Sequence, residues 1–147
     1  MSNIDLVLIN PAAAHGILGN HPIYGDLGDD LVAIEQPLWC RLIAGYVRDR
    51  GYTVQIIDAE ALKLSPDMVA HDIARLRPRL VAIAVYGHMP SASTQQMVGA
   101  SETAKQIKQR WPESKIIMLG GHVSALPERT MRAEQIDYAC VGEGPIT

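Results

Sequence analysis

Five short apolar runs, each four to six residues long, set the strongest limit on what this chain can fold into: Leu6–Ile9, Val54–Ile57, Leu80–Val85, Ile116–Leu119 and Tyr138–Val141. Four of them are nearly continuous in apolar character. A strand that alternates has one wet face, whereas a strand buried on both faces reads as an unbroken apolar run. Such strands belong to a parallel sheet covered by helices on both sides.

Helical patterns separate the runs, as that arrangement requires. Leu38, Leu42, Ile43, Tyr46 and Val47 share one face of a first helix, closed by Gly51. Ser65-Pro66 supplies an N-cap hydroxyl and a first-turn proline for a second helix, with Val69, Ile73 and Leu76 inward and Pro78 beyond its end. Met97, Ala100, Ala104, Ile107 and Trp111 recur at helical spacing in a third, from about Ser93 to Trp111, which Pro112 stops. A short fourth helix follows Pro127. Strand–helix–strand alternation gives right-handed crossovers and a doubly wound sheet. The reading is one α/β domain, three-layer and Rossmann-like (flavodoxin-like), with a five-stranded, mostly parallel sheet. Ala12 to about Gln36 resists this scheme, being rich in Gly, Pro and Asp without a period.

The 147 residues suffice for one domain with a sizeable core. A net charge of −3, without a dense basic block, predicts no nucleic-acid partner and no anionic membrane. The start MSNIDLVLIN lacks a basic leader region, and its apolar run is too short to span a bilayer, so the expected setting is cytoplasmic. Cys40 and Cys140 are far apart, with no CxxC or CxxxCxxC, and read as small core residues. Neither zinc nor an iron–sulfur cluster can be built from such a pair.

In sheets of this kind ligands bind outside the carboxyl ends of the strands. The segments there are Asn10-Pro11 and the residues to Gly16, Tyr86-Gly87-His88-Met89-Pro90-Ser91, Gly120-Gly121-His122-Val123-Ser124, and Gly142-Glu143-Gly144-Pro145. Glycine after a strand is often only a turn. Its recurrence on one edge favours close approach of backbone to a bulky ligand. Asp58 stands where a dinucleotide site places its ribose-binding acid, yet no G-x-G-x-x-G follows the first strand. The G-x-x-x-x-G-K-[ST] of a phosphate loop is absent too. A receiver domain needs an Asp after the third strand, where Val85-Tyr86 stands. His71 reads as a surface residue, and His15 and His21 as loop residues. His88 and His122 lie on the ligand edge, with no acidic or cysteine cluster to make them metal ligands.

These loops resemble those of a known family. Leu8-Ile9-Asn10-Pro11, then Gln36-Pro37-Leu38 opening a helix that ends Arg50-Gly51-Tyr52, then Ile57-Asp58-Ala59, is similar to the start of cobalamin-binding (vitamin B12-binding) domains of radical SAM enzymes. Met118-Leu119-Gly120-Gly121-His122-Val123-Ser124-Ala125-Leu126-Pro127-Glu128 resembles that family's fourth-strand loop. Asp137-Tyr138-Ala139-Cys140-Val141-Gly142-Glu143-Gly144 matches its closing D-x-x-x-x-G-E-G. The likeness runs over nearly the whole chain.

The resemblance implies that residues 1–147 are the N-terminal cobalamin-binding module of a longer enzyme, an anaerobic porphyrin cyclase or a methyltransferase. The parent's C-terminal radical SAM barrel would carry the [4Fe-4S] cluster and bind S-adenosylmethionine. This chain would bind cofactor and supply no catalytic residue. The implied cobalamin contacts are Asn10, Pro11, Tyr86, Gly87, His88, Met89, Ser91, Gly120, Gly121, His122, Ser124, Gly142, Glu143 and Gly144. Related mutases use D-x-H-x-x-G after the first strand, and that pattern is missing from Asn10 to Gly16. Base-off binding without a histidine from that loop on cobalt is therefore implied, with His88 the alternative for the lower face. The competing readings are a free-standing small-molecule-binding or sensor domain of the same fold without cobalamin, and half of a nucleotide-dependent transferase.

Overall fold

The computed structural model describes residues 4–12, 36–86, 90–142 and 144, with the side chains of 90–92 outside that description. Five parallel strands, β1 (Leu6–Asn10), β2 (Val54–Asp58), β3 (Leu80–Val85), β4 (Ile116–Gly120) and β5 (Tyr138–Ala139), pair in the order β2-β1-β3-β4-β5. The mostly parallel sheet expected from the sequence is parallel at every described pairing. Strand order reverses between β1 and β3, the switch point of a doubly wound sheet. Asn10 pairs with Asp58, and Val85 with Gly120, so the carboxyl ends line up along one edge.

Helices cover both faces. Helix α1 (Leu38–Arg48) lies on one, with Leu6, Leu8, Ala82, Ala84, Leu119 and Cys140 beneath it. The other face, built on Val7, Ile9, Val81, Ile83, Val85 and Met118, packs against α2 (Pro66–Leu76), α3 (Pro90–Arg110) and a short α4 (Gly121–Ala125). Helix α5 (Pro127–Ala133) leads into β5. Successive residues of β1, β3 and β4 go to opposite faces and are buried on both, which explains their unbroken apolar character.

Ser65 caps α2 as its sequence predicts: the Met68 amide donates to Ser65 Oγ at 3.3 Å, and Pro66 fills the first helical position. Met97, Ala100, Ala104 and Ile107 of α3 are buried, and Trp111 packs at the margin of the same core. His71 is exposed.

Three expectations need correction. The buried face of α1 is Cys40, Ile43 and Ala44, whereas Leu38 and Leu42 are 59% and 54% exposed. Small residues let the α1 backbone approach the sheet, and the larger leucines are turned outward. β5 stops at Ala139, short of Val141. Gly121–Ala125 is a helical turn, where the sequence suggests an open loop.

Both cysteines are buried and free. Burial pushes the Cys40 thiol up to about 12, with the Asp58 carboxylate adding to the effect. Cys40 is therefore expected to resist iodoacetamide at pH 8 in the folded protein and to react once urea unfolds it. Rapid native alkylation at Cys40, read by peptide mass, would contradict the packing.

The charged anchors gather at the opposite, amino edge of the sheet. Asp5 accepts from the Thr53 amide (2.9 Å), the Thr53 hydroxyl (2.9 Å) and Arg79 Nη1 (3.1 Å), tying the β1 start to the entries of β2 and β3. Asp137 does the same between β4 and β5. It accepts from Lys108 Nζ (2.7 Å), Lys115 Nζ (3.1 Å) and the Ile116 amide (2.9 Å). No helix among the described residues is long and apolar enough to cross a membrane.

Candidate functional site

The carboxyl edge collects most of the residues singled out in the sequence. Asn10 ends β1, Tyr86 follows β3, Gly120 ends β4, and Gly121, His122 and Ser124 form α4. Gly142 and Gly144 follow β5, and Pro11 is buried just past β1. Ser91 lies in the first turn of α3, its side chain outside the description. Gly87, His88, Met89 and Glu143 lie outside the described residues, as do His15 and His21.

The edge is held by its own hydrogen bonds. Asn10 Nδ2 donates to Asp58 Oδ1 at 2.9 Å, and the Ala61 amide donates to the same oxygen at 3.2 Å. Asp58 thus braces its own turn and the end of β1, a role that needs no nucleotide. Ser93, 2% exposed at the start of α3, is a second brace. Its hydroxyl donates to the Val85 carbonyl and accepts from the His122 amide at 3.0 Å, joining the end of β3 to the start of α4. Ser124 is a third. Its Oγ accepts from the Gly142 amide at 3.1 Å and lies 3.5 Å from the Cys140 carbonyl. Thr94 Oγ1 and His122 Nδ1 lie 3.0 Å apart, which fixes the imidazole against α3.

One glycine is required by geometry and a second is favoured by it. Gly120 has φ +141°, and a Cβ there would sit 2.0 Å from the Val85 carbonyl oxygen. Only glycine lets β4 pass the end of β3 this closely. Gly144 has φ +50° and lies against Leu119 and Ile43, so the segment after β5 closes onto the α1 side of the sheet.

Of the described residues on this edge, Asn10, Thr94, His122 and Ser124 carry hydrogen-bonding side chains, Asp58 is acidic, and Trp39 and Tyr86 form an aromatic pair. Trp39 stacks on Tyr86 with ring centroids 4.6 Å apart and planes 19° apart. Among the described residues no group of three or more His, Cys, Asp or Glu converges on a metal-sized site. Asn10, Thr94, His122 and Ser124 instead bring hydrogen-bonding side chains beside glycine backbone, a lining suited to a large ligand rich in amides. The sequence reading missed Ser93 and Thr94 as parts of this edge. Their signal was two hydroxyl residues directly after a strand loop, where they can reach both the strand end and the next helix.

The comparisons agree with this architecture. The family model described as B12 binding domain matches residues 26–147. An anaerobic magnesium-protoporphyrin IX monomethyl ester cyclase of Rubrivivax gelatinosus is 30% identical over 130 residues, covering 87% of this chain and 22% of the cyclase. The radical S-adenosylmethionine methyltransferase TsrM of Kitasatospora setae, solved with cobalamin and a [4Fe-4S] cluster bound, matches 99% of this chain and 23% of its own, with TM-score 0.67 and 19% identity. The same enzyme with tryptophan substrate and a SAM analogue matches 96% of this chain and 23% of its own, with TM-score 0.68 and 19% identity. This chain thus spans under a quarter of the length of these relatives, and the likeness to TsrM is one of fold. With a match covering more than four-fifths of its residues, a parallel doubly wound sheet and a glycine-lined carboxyl edge, the chain belongs to the B12 binding domain family.

Proposed function

We propose that this chain binds cobalamin at the carboxyl edge of its sheet, as one module of a radical SAM enzyme. The observation that carries the reading is the Gly120–Gly121 passage between β3 and β4, flanked by hydroxyl, amide and imidazole groups on braced loops. Cobalamin is large and carries peripheral amides, which such a lining can meet without a buried charge. Asn10, Pro11, Tyr86, Gly120, Gly121, His122, Ser124, Gly142 and Gly144 would hold it, joined by Gly87, His88, Met89, Ser91 and Glu143. Bound cobalamin would supply a cobalt centre able to carry a methyl group or to assist radical chemistry.

The match to the B12 binding domain family and the relatives' names favour this reading over a sensor domain without cobalamin. The parent protein would carry a radical SAM barrel with CxxxCxxC elsewhere, with S-adenosylmethionine and a [4Fe-4S] cluster as its cofactors and methyl transfer or radical ring chemistry as its reaction; the relatives' names support this reading.

The first-strand loop lacks D-x-H-x-x-G, so cobalamin would be bound base-off without a histidine from that loop. Mixing the protein with hydroxocobalamin and desalting should leave a coloured protein with a base-off absorption spectrum. A colourless protein would remove the cobalamin reading, and a base-on spectrum would remove the base-off one. In His88→Ala the spectrum should be unchanged; loss of a histidine-ligated signal would move the lower ligand to His88.

A further inference from the structure

We infer that Trp39 is the aromatic wall of this edge, and that the outer face of its indole stacks on a planar conjugated group of the ligand. The inference rests on the cobalamin reading above and adds to it a residue that neither the glycine loops nor the family motifs mark.

Position comes first. Helix α1 crosses back from β1 to the parallel strand β2, so its first turn stands at the carboxyl edge. Trp39 is the second residue of that turn. Tyr86 is the first residue past β3, the strand beside β1 at the switch in strand order. The stack therefore places the indole over the end of β3, at the point where doubly wound sheets take their ligands.

Exposure comes next. Trp111, the other tryptophan, packs against the core at the far end of α3, whereas Trp39 remains 42% exposed. Among the described edge residues it is the largest exposed apolar side chain. Stacking on Tyr86 occupies one face of the ring and holds the indole plane in place. The stack orients the ring, and 42% exposure leaves indole surface to meet a second flat group, with part of the ordering already done. Ile43, one turn further along α1, is near Gly144: a Cβ there would lie 3.5 Å from Ile43 Cδ1, so Gly144 stands beside the same helix. A ligand seated on the edge beside α1 would meet Trp39.

The test compares dissociation constants for hydroxocobalamin in the full chain. Trp39→Ala should weaken binding about tenfold, the range seen when a stacking aromatic is truncated. Trp39→Phe, which keeps a flat ring, should recover most of the loss. Trp39→Leu keeps apolar bulk without a ring and should bind as weakly as the alanine variant. Leu42→Ala, exposed on the same helix, should bind like wild type. Wild-type affinity in Trp39→Leu overturns the stacking role even if Trp39→Ala proves unstable. Wild-type affinity in Trp39→Ala removes any role for the side chain while leaving the cobalamin reading intact. A wild-type chain that holds no cobalamin overturns that reading, and this one with it.

Discussion

Gly120→Ala is expected to unfold the domain at ordinary temperature, or to lower its unfolding free energy by more than about 3 kcal/mol. Two effects add. Alanine at φ +141° is strained on its own, and its Cβ would lie 2.0 Å from the Val85 carbonyl oxygen. That atom is backbone in the middle of the sheet, between β1 and β4, and cannot swing aside. Moving it would also disturb the hydrogen bond it accepts from Ser93. Gly121→Ala is the matched control. Its Cβ would meet only the Ser93 side chain at 3.7 Å, ordinary contact, and alanine favours the helical turn it would join. Urea melts should show Gly121→Ala within about 1 kcal/mol of wild type. A Gly120→Ala variant as stable as wild type would mean that glycine is kept here for the ligand and not for the sheet.

The second large effect is expected at Asp137. Removing its carboxylate in Asp137→Ala leaves Lys108, only 18% exposed, without its ion-pair partner and leaves the Ile116 amide without an acceptor. A loss of about 2–4 kcal/mol should follow. Burial on its own would push this carboxyl up, but the bonds from Lys108, the Ile116 amide and Lys115 together outweigh it and hold it below the usual carboxylate range. Because the folded value is the lower one, the unfolded chain binds more protons as acid is added. The stabilisation is full above about pH 4, the unfolded range for Asp, and fades as pH falls through the folded value. Asp5, lowered chiefly by the Thr53 amide, acts in the same direction. In Asp137→Ala the acid slope of stability should be shallower than in wild type. An unchanged slope would place the acid sensitivity elsewhere.

Strands β1, β3 and β4 were legible because burial on both faces leaves an unmistakable apolar run, and α2 because Ser65-Pro66 is a local capping signal that tertiary packing does not override. The α1 face was not. Hydrophobicity ranks Leu38 and Leu42 above Cys40 and Ala44, whereas close packing on β1 and β3 selects the smaller pair. Helix α4 was hidden because two glycines read as a turn, and nothing in their order shows that Ser93 will receive the His122 amide. Asp137 shows the limit of a motif. The D-x-x-x-x-G-E-G pattern reads as one unit, yet its acid anchors the amino edge while Gly142 and Gly144 lie past the other end of β5. The carboxyl edge itself was legible from the glycines. The braces that hold it were not, since each joins residues distant in sequence.

The two seryl braces have a kinetic consequence. Ser93 fastens the end of β3 to α4, and Ser124 fastens α4 to the segment after β5, so three loops form one chain of linked parts. Breaking either link exposes a main-chain amide, His122 in one case and Gly142 in the other. If the links open together, these two amides should exchange with deuterium at matched rates, slowly, and should slow further by a common factor when ligand fills the edge. A loop ordered by the ligand alone would instead be protected only after binding. An edge assembled before its ligand arrives pays little ordering entropy on capture, and its association rate is then set by encounter rather than by closure.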